Sequence, residues 1–270
     1  MPIAKVNGIE LFYEEFGEGD QVMISAQSHH AKGSYQELLA SAGYKVYKVQ
    51  LRGYGQSTHV YEDLGSHWIP TWAKDVVEFA KQKGVDRFIY TGVSHGAGVG
   101  WYICDLYPDV LKAFISVVGV PHDRSGGDYS KQRLQTVQGA DEKDFKGPQL
   151  YMVPTDDPVR LERQAQIKQR SAKRFKSMSK EEKQIKVKKP FPECKTNEEL
   201  AERLSQFNVP TLLLCGCYDD IISPEISLVA AKSVPGAKAI FYQDHSHTLA
   251  SEGKEMIAED ILHYLKQKNL

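Results

Sequence analysis

Residues 87–98 read RFIYTGVSHGAG, and this stretch decides the fold. Its first half, Arg87–Val93, is a nearly continuous apolar run, which predicts a parallel strand buried on both faces. Its second half is rich in small residues, which predicts a helix packed closely against that strand. Ser94 then lies on a sharp turn from strand to helix that exposes its hydroxyl, with flanking glycines that avoid a collision across the turn. The alternative interpretation is a glycine-rich turn that serves packing only.

The residues around this turn alternate between strand patterns and helix patterns. Ile3–Val6 and Ile9–Glu14 flank Asn7-Gly8, which predicts a two-residue β-hairpin. Further strands are predicted at Val22–Ser25, Lys45–Gln50, Ala113–Val118, Leu212–Cys215 and Ala239–Tyr242. Helices are predicted from Ser34 to about Ser41, at Trp68–Lys83, from the Ser94 turn through Tyr107, at Pro224–Ser233 and at Glu255–Lys266. This alternation indicates an α/β protein with a mostly parallel central sheet flanked by helices.

Residues 121–205 break the alternation and contain no evident strand. Helix-start signatures occur at Thr155-Asp156-Asp157-Pro158, at Ser179 with Glu182, and at Thr196 with Glu199. The pattern therefore predicts a helical insertion, residues 121–205, between two strands of a core formed by residues 1–120 and 206–270. Because it lies between two sheet strands, we expect the insertion to cover the carboxyl ends of the strands.

The composition excludes several classes of protein. The 270 residues are 41% hydrophobic and 26% charged with a net charge of -1, which excludes disorder, collagen-like repeats and a disulfide-rich miniprotein. The four cysteines lack zinc-site spacing, and Met1–Glu15 lacks the basic and apolar regions of a secretory signal. No apolar run approaches the roughly 20 residues that span a bilayer. We therefore expect a cytoplasmic protein with reduced thiols.

A serine hydroxyl becomes a nucleophile only beside a base, and that base needs an acid to orient it. Where serine occupies such a turn, the acid and then the histidine follow it along the chain. The strand Leu212–Cys215 runs into Asp219 and Asp220, and the last strand runs into His245 and His247. All these residues follow the carboxyl ends of strands, where ligands bind in open α/β sheets.

With these features the chain resembles the α/β-hydrolase family across nearly its whole length. Residues 51–57, LRGYGQS, are similar to the family's R-G-x-G-x-S turn, and the insertion is similar to its cap domain. The resemblance implies Ser94 as the nucleophile and His247 as the base, because the family histidine usually follows Gly or Ser. His245 is the alternative base.

The resemblance leaves two candidates for the acid. Asp219 fits the family's G-x-x-D spacing from Gly216, whereas Asp220 better fits the D-x-x-x-P spacing to Pro224. We favour Asp219.

The chain departs from the family after the third strand. The family usually has His-Gly there, and the backbone N–H of the next residue forms half of the oxyanion hole. Here Ala26-Gln27 takes that place, so the resemblance assigns the hole to the N–H groups of Ser28 and His95. The side chain of Gln27, where glycine is usual, implies a different loop conformation.

His29 and His30 follow directly and are candidate substrate contacts. The alternative is a pair of surface histidines beside a loop. No metal site is expected, because no third ligand lies at suitable spacing.

A serine nucleophile implies attack on a carbonyl, whereas the family's epoxide hydrolases and haloalkane dehalogenases use aspartate at this position. We therefore expect hydrolysis of a small carboxylic ester or lactone through an acyl-serine, with no cofactor. Two alternatives remain open: hydrolysis of a carbon–carbon bond in a diketone-like substrate, and a ligand-binding protein without catalytic activity. A monomer and a homodimer are both compatible with the sequence.

The insertion carries a strongly basic segment. Arg160–Lys189 contains twelve Lys or Arg against three Glu, a charge of +9, so the rest of the chain carries -10. Such a segment can attract an anionic substrate, a membrane surface or nucleic acid, but no nucleic-acid-binding motif accompanies it. The alternative is the solvated face of amphipathic helices, with Val159, Ile167, Phe175 and Met178 turned inward. We favour the solvated face and expect a small-molecule substrate as the partner, with an anionic substrate as the alternative.

Overall fold

The structure is a computed structural model that describes residues 2–139, 142, 147 and 149–270. Eight strands form a single sheet in the order β1-β2-β4-β3-β5-β6-β7-β8. The strands are β1 (Ile3–Val6), β2 (Ile9–Phe16), β3 (Val22–Gln27), β4 (Lys45–Gln50), β5 (Phe88–Val93), β6 (Leu111–Val117), β7 (Thr211–Gly216) and β8 (Lys238–Tyr242). The β1–β2 and β2–β4 pairs are antiparallel, and every other pair is parallel. The predicted α/β fold is confirmed.

The helices connect these strands and cover both faces of the sheet. They are α1 (Tyr35–Ser41), α2 (Trp68–Gln82), α3 (His95–Leu106), α4 (Lys131–Gln138), α5 (Pro158–Ser177), α6 (Lys180–Gln184), α7 (Asn197–Leu204), α8 (Pro224–Ser233), α9 (Leu249–Glu252) and α10 (Lys254–Gln267), with 3-10 turns at Gly65–His67 and Pro108–Val110. None of the helices in the described part of the chain combines the length and apolar character needed to cross a bilayer.

The core forms two layers, one on each face of the sheet. Helices α2 and α3 pack Trp72 and Trp101 against one face, whereas α1 and α10 pack Leu39 and Ile261 against the other. Because β5 lies in the middle of the sheet, its residues contact both layers, which explains its uninterrupted apolar run.

One predicted helix start is wrong in its detail. Ser34 precedes α1 in an extended conformation, but its hydroxyl makes no capping bond and is buried without a hydrogen-bond partner among the described residues. The carboxylate of Glu37 instead accepts a hydrogen bond from the N–H of Gly33 at 3.0 Å. This bond ties the residue before Ser34 to the first turn of α1, but it does not cap the N–H groups of the helix itself.

Helices α4 to α7 lie between β6 and β7 along the chain, and the described residues of 121–205 contain no strand. Asp157 caps α5, and Ser179 and Glu182 form the predicted capping box. Thr196 accepts from the N–H of Glu199, but the Glu199 carboxylate accepts from Lys195 rather than from Thr196. The division of the chain into core and cap at residues 121 and 205 stays a prediction.

Helix α5 is held against the residues that follow β8 by charged side chains. Arg160 lies 3.2 Å from the buried carboxylate of Glu252, and Arg163 makes a two-bond contact with Glu255. Part of the basic charge of the insertion is therefore neutralised by acidic residues of the core. The expectation for Val159 is wrong: its side chain is exposed, because it lies in the first turn of α5 on the face away from the buried Ile167 and Phe175.

Candidate active site

Ser94 lies in a strained turn between β5 and α3. Its φ of 49° is unusual for a residue with a side chain, and its N–H donates to the carbonyl of Val117 at 2.9 Å. A Cβ on Gly92 would lie 2.4 Å from the carbonyl carbon of Gly96, and a Cβ on Gly96 would lie 2.4 Å from the carbonyl oxygen of Ala26. The glycines on both sides of Ser94 are thus required by the close approach of backbone across the turn.

Three side chains form a hydrogen-bonded line at the carboxyl ends of β5, β7 and β8. Ser94 Oγ lies 2.7 Å from His247 Nε2, and His247 Nδ1 lies 2.8 Å from Asp219 Oδ2. A proton on Nδ1 leaves Nε2 free to accept the proton of the serine hydroxyl. The backbone N–H groups of Ile221 and Ile222 also donate to Asp219 Oδ1, each at 2.9 Å. These donors stabilise the ionised carboxylate and fix its orientation.

The alternative acid and base lie outside this line. Asp220 is exposed, and Asp219 rather than Asp220 hydrogen-bonds to His247. His245 is buried with its ring edge-on to Tyr242, and its Nε2 has no hydrogen-bond partner among the described residues. Burial lowers the pKa of His245, and the nearby charge of Arg160 lowers it further.

The direction of the Ser28 N–H follows from the carbonyl of the preceding residue. The carbonyl of Gln27 accepts a hydrogen bond from Leu51, which follows β4. In a trans peptide the next N–H points the opposite way, here away from β4 and towards the side of β5 that carries Ser94. The N–H of His95 belongs to the first turn of α3, where helical N–H groups have no partner within the helix. The two N–H groups assigned from the resemblance thus flank the same turn.

Side chains fix the loop that lacks the family's His-Gly. The Gln27 side chain lies beside Gly96, where a Cβ would come within 3.2 Å of it. Gln50 Nε2 donates to the carbonyl of Ser28 at 3.1 Å. Arg174 Nη2, on α5, donates to Ser28 Oγ at 2.7 Å. The sequence pattern did not single out Arg174, because one arginine in a long basic segment carries no distinguishing signal.

Ser94 and His95 line a cavity of about 160 Å³. Residues of both the core and the insertion complete its wall, including Ile69, Val120, His122, Arg133, Val187 and Lys189. Burial, followed by the charges of Lys189 and His247, lowers the pKa of His122 to about 3. Burial also lowers the pKa of His95. Both imidazoles are therefore neutral near pH 7.

His29 and His30 line a different cavity, together with Val93, Arg163, Arg170 and Lys254, and Ser94 does not line it. His30 Nε2 donates to the carbonyl of Val49 at 3.0 Å, and burial lowers the pKa of His30 to about 4. The structure thus does not bring these two candidate contacts to the cavity of Ser94. Within residues 2–139, 142, 147 and 149–270, no three His, Cys, Asp or Glu side chains cluster as metal ligands would.

A neighbouring cavity contains residues that the sequence analysis missed. It is lined by Tyr54, Arg133 and Arg174, and it shares Gln132, Arg133 and Thr136 with the cavity of Ser94. Arg133 and Tyr54 lie 79 residues apart in the sequence, so no local pattern could have paired them.

Comparison with known proteins agrees with this architecture. Residues 26–254 match the family model described as alpha/beta hydrolase fold. The AB hydrolase superfamily protein YfhM of Bacillus subtilis is 24% identical over 240 residues, which cover 85% of this chain and 83% of that protein.

Two solved structures share the fold over almost their full lengths. A thermophilic esterase from Thermogutta terrifontis, solved with malate bound, superposes with a TM-score of 0.77 at 19% identity and covers 100% of both chains. The enol-lactonase from Burkholderia xenovorans LB400 superposes with a TM-score of 0.74 at 18% identity, covering 98% of this chain and 100% of its own.

Proposed function

Because this chain belongs to the α/β-hydrolase family, we propose that it is a serine hydrolase that cleaves a small carboxylic ester or lactone. The observation that carries the proposal is the unbroken line from Ser94 Oγ through His247 to Asp219, with distances of 2.7 and 2.8 Å. These distances fall within the range that proton transfer between nucleophile and base requires. Asp219 holds the imidazole in the tautomer that accepts the proton, and it stabilises the imidazolium once formed.

In the first step, Ser94 Oγ attacks the substrate carbonyl carbon while His247 Nε2 takes the hydroxyl proton. The carbonyl oxygen becomes negatively charged, and the N–H groups of Ser28 and His95 donate to it. When the tetrahedral intermediate collapses, the bond to the alcohol oxygen breaks and His247 returns the proton to that oxygen. An ester releases an alcohol, whereas a lactone gives a hydroxyacyl group that remains on Ser94.

In the second step, water attacks the acyl-serine and gives a proton to His247. The same two N–H groups stabilise the second oxyanion, and collapse of this intermediate breaks the bond to Ser94 Oγ. His247 returns the proton to the serine, and the carboxylic acid leaves. No group other than those of the chain, the substrate and water takes part.

We infer that residues 121–205 form a cap over this site. Arg133 and Val187, both from that segment, line the cavity beside Ser94, and Arg174 bonds to the loop that carries Ser28. A cavity of about 160 Å³ favours a small acyl or alcohol group.

Labelling with a fluorophosphonate tests the proposal. We expect the wild-type protein to be labelled and Ser94→Ala to remain unlabelled. Asp220→Asn is the matched control and should be labelled like the wild type, because Asp220 is exposed and outside the hydrogen-bonded line. Turnover is then measured on panels of aryl esters, lactones and vinylogous diketones, with Ser94→Ala as the blank.

Absence of labelling in the wild type, or turnover that survives Ser94→Ala, would overturn the serine mechanism. Turnover of the diketones with none of the esters and lactones would replace the proposed reaction by carbon–carbon bond hydrolysis.

A further inference from the structure

Two arginines of the insertion face the cavities next to Ser94. Arg133 lies on α4 and lines both the cavity of Ser94 and the neighbouring one, and Arg174 lies on α5 and lines the neighbouring one. The neighbouring cavity measures about 210 Å³. The two guanidinium groups are thus within reach of a ligand that extends from Ser94.

Neither guanidinium has a carboxylate partner within the described residues. Other arginines of the insertion do: Arg160 pairs with Glu252, Arg163 with Glu255, and Arg203 with Asp105. Arg174 instead donates one N–H to the uncharged Ser28 hydroxyl at 2.7 Å, and the Glu182 carboxylate acts on its charge without forming an ion pair.

The effect on the pKa of Arg174 supports this arrangement. Burial lowers this pKa, Tyr54 raises it, the like charge of Arg133 lowers it and the negative charge of Glu182 raises it. Two positive charges near each other in a partly enclosed space destabilise the folded chain unless an anion joins them.

Two buried polar atoms beside these arginines also have no hydrogen-bond partner in the described part of the chain. The Tyr54 hydroxyl lines the same cavity as Arg174, and His95 Nε2 belongs to a residue that lines the cavity of Ser94. The rings of Tyr54 and His95 both pack against the indole of Trp72, so the two unpartnered atoms belong to neighbours of the same side chain. Buried polar atoms in folded proteins almost always have a hydrogen-bond partner, and a bound ligand supplies one where the protein does not.

We propose that Arg133, Arg174 and Tyr54 form a subsite for a carboxylate group carried by the substrate. A carboxylate is planar and has two oxygens, which match the forked donors of guanidinium groups and leave a lone pair for the tyrosine hydroxyl. The inference rests on the proposed function and extends it. The preferred ester or lactone bears a free carboxylate in addition to the ester carbonyl that Ser94 attacks. Two of the positive charges of the insertion, on Arg133 and Arg174, would then bind this carboxylate.

A matched pair of esters tests the subsite. Mono-4-nitrophenyl succinate carries a free carboxylate, and 4-nitrophenyl butyrate has the same leaving group and chain length without the charge. We expect kcat/KM of the wild type to favour the succinate by about 10- to 100-fold, the range of a charge-assisted hydrogen bond. Arg133→Gln should remove most of that preference, measured as the ratio of the two kcat/KM values.

Two control variants separate the subsite from other effects. Arg170→Gln removes one positive charge from the exposed part of α5, in the other cavity, and should keep the wild-type ratio. Ser28→Ala removes the bond to Arg174 but keeps its charge, and should lower both kcat/KM values alike. Arg174→Gln should lower the value for the succinate more than that for the butyrate.

A binding measurement makes failure of the subsite distinguishable from failure of the proposed function. Succinate is titrated into Ser94→Ala by calorimetry, and we expect binding that Arg133→Gln weakens by about 10-fold or more. If succinate binds in this way but no ester is cleaved, the subsite stands and the serine mechanism fails. If both esters are cleaved without preference, or Arg170→Gln weakens binding as much as Arg133→Gln, the subsite is overturned. Tighter binding of inorganic phosphate than of succinate would overturn the assignment to a carboxylate.

Discussion

Arg174 on α5 donates a hydrogen bond to the hydroxyl of Ser28, and Arg174 Nη2 lies 2.7 Å from Ser28 Oγ. The bond joins the insertion to the loop after β3, in a chain that lacks the usual His-Gly there. A contact over 146 residues of sequence thus ties this loop to α5.

Removing this bond tests how far the loop depends on it. We expect Ser28→Ala to lower kcat by about 10-fold with little change in KM, because a slightly displaced N–H weakens oxyanion binding in the transition state. The free energy of unfolding should fall by no more than about 1 kcal/mol. Ser41→Ala, an exposed serine on α1, is the control for both measurements. Equal kcat values for Ser28→Ala and the wild type would contradict the role of the bond.

The two neighbouring aspartates give a matched pair of substitutions. We expect Asp219→Asn to lower kcat by about 10³- to 10⁴-fold, since an amide at this position can favour the wrong tautomer of His247. Asp220→Asn should change kcat by less than about twofold, because its side chain is exposed and outside the hydrogen-bonded line. Steady-state kinetics on one ester decides between them, and similar losses in both variants would reject the assignment of Asp219.

Alanine substitutions at two glycines of α3 should change the free energy of unfolding in different ways. A methyl group on Gly96 would lie 2.4 Å from the carbonyl oxygen of Ala26, so Gly96→Ala should lower the free energy of unfolding by about 1–3 kcal/mol. A methyl group on Gly98 would make ordinary contacts of 3.4 Å or more with Ile69 and Pro190, so Gly98→Ala should be neutral or stabilising by up to about 1 kcal/mol. Urea unfolding measures both, and a destabilised Gly98→Ala with an unchanged Gly96→Ala would reverse the expected order.

The burial of His30 beside β4 should make the free energy of unfolding depend on pH. Burial lowers the pKa of His30 to about 4, opposed by its bond to the Val49 carbonyl; the charge of Lys48 lowers it further and that of Glu37 raises it. Since the unfolded chain protonates near pH 6.5 and the folded chain near pH 4, His30 reduces the stability of the fold as pH falls between these values. The loss amounts to up to about 1.4 kcal/mol per pH unit.

We expect His30→Gln, which keeps a donor for Val49, to flatten the decline of the free energy of unfolding from pH 6.5 to 4. His263→Gln, an exposed histidine on α10, serves as the control and should leave the slope unchanged. Urea unfolding at several pH values gives the slope, and an equal slope in His30→Gln and the wild type would contradict the prediction.

The sheet could be predicted from the sequence because its central strands contact apolar layers on both faces. Burial on both sides produces apolar runs that a single sequence reveals, so β5, β6 and β7 begin and end within two residues of the predicted bounds. The position of the candidate site followed from the strand ends, since Ser94 comes directly after β5, Asp219 three residues after β7 and His247 five residues after β8.

The remaining details depend on contacts between distant parts of the chain. Spacing could not decide between Asp219 and Asp220, because a shift of one residue rotates the side chain from the imidazole to solvent. Nor could periodicity show that Arg174 reaches Ser28 whereas Arg160 reaches Glu252, since both lie on the same basic helix. The cavities that Arg133 and His29 line follow from tertiary packing, which the local pattern does not contain.

Helix α5 connects the two halves of the candidate site. Near its beginning Arg160 holds the carbonyl of Asp244, three residues before His247, and fourteen residues later Arg174 holds Ser28. The span between them is about 20 Å at 1.5 Å per residue, so one rigid helix sets the separation of the loop that carries His247 from the loop that carries Ser28. The insertion is therefore not an interchangeable module. A chimera whose replacement segment lacked counterparts of Arg160 and Arg174 would lose both of these contacts between the insertion and the core.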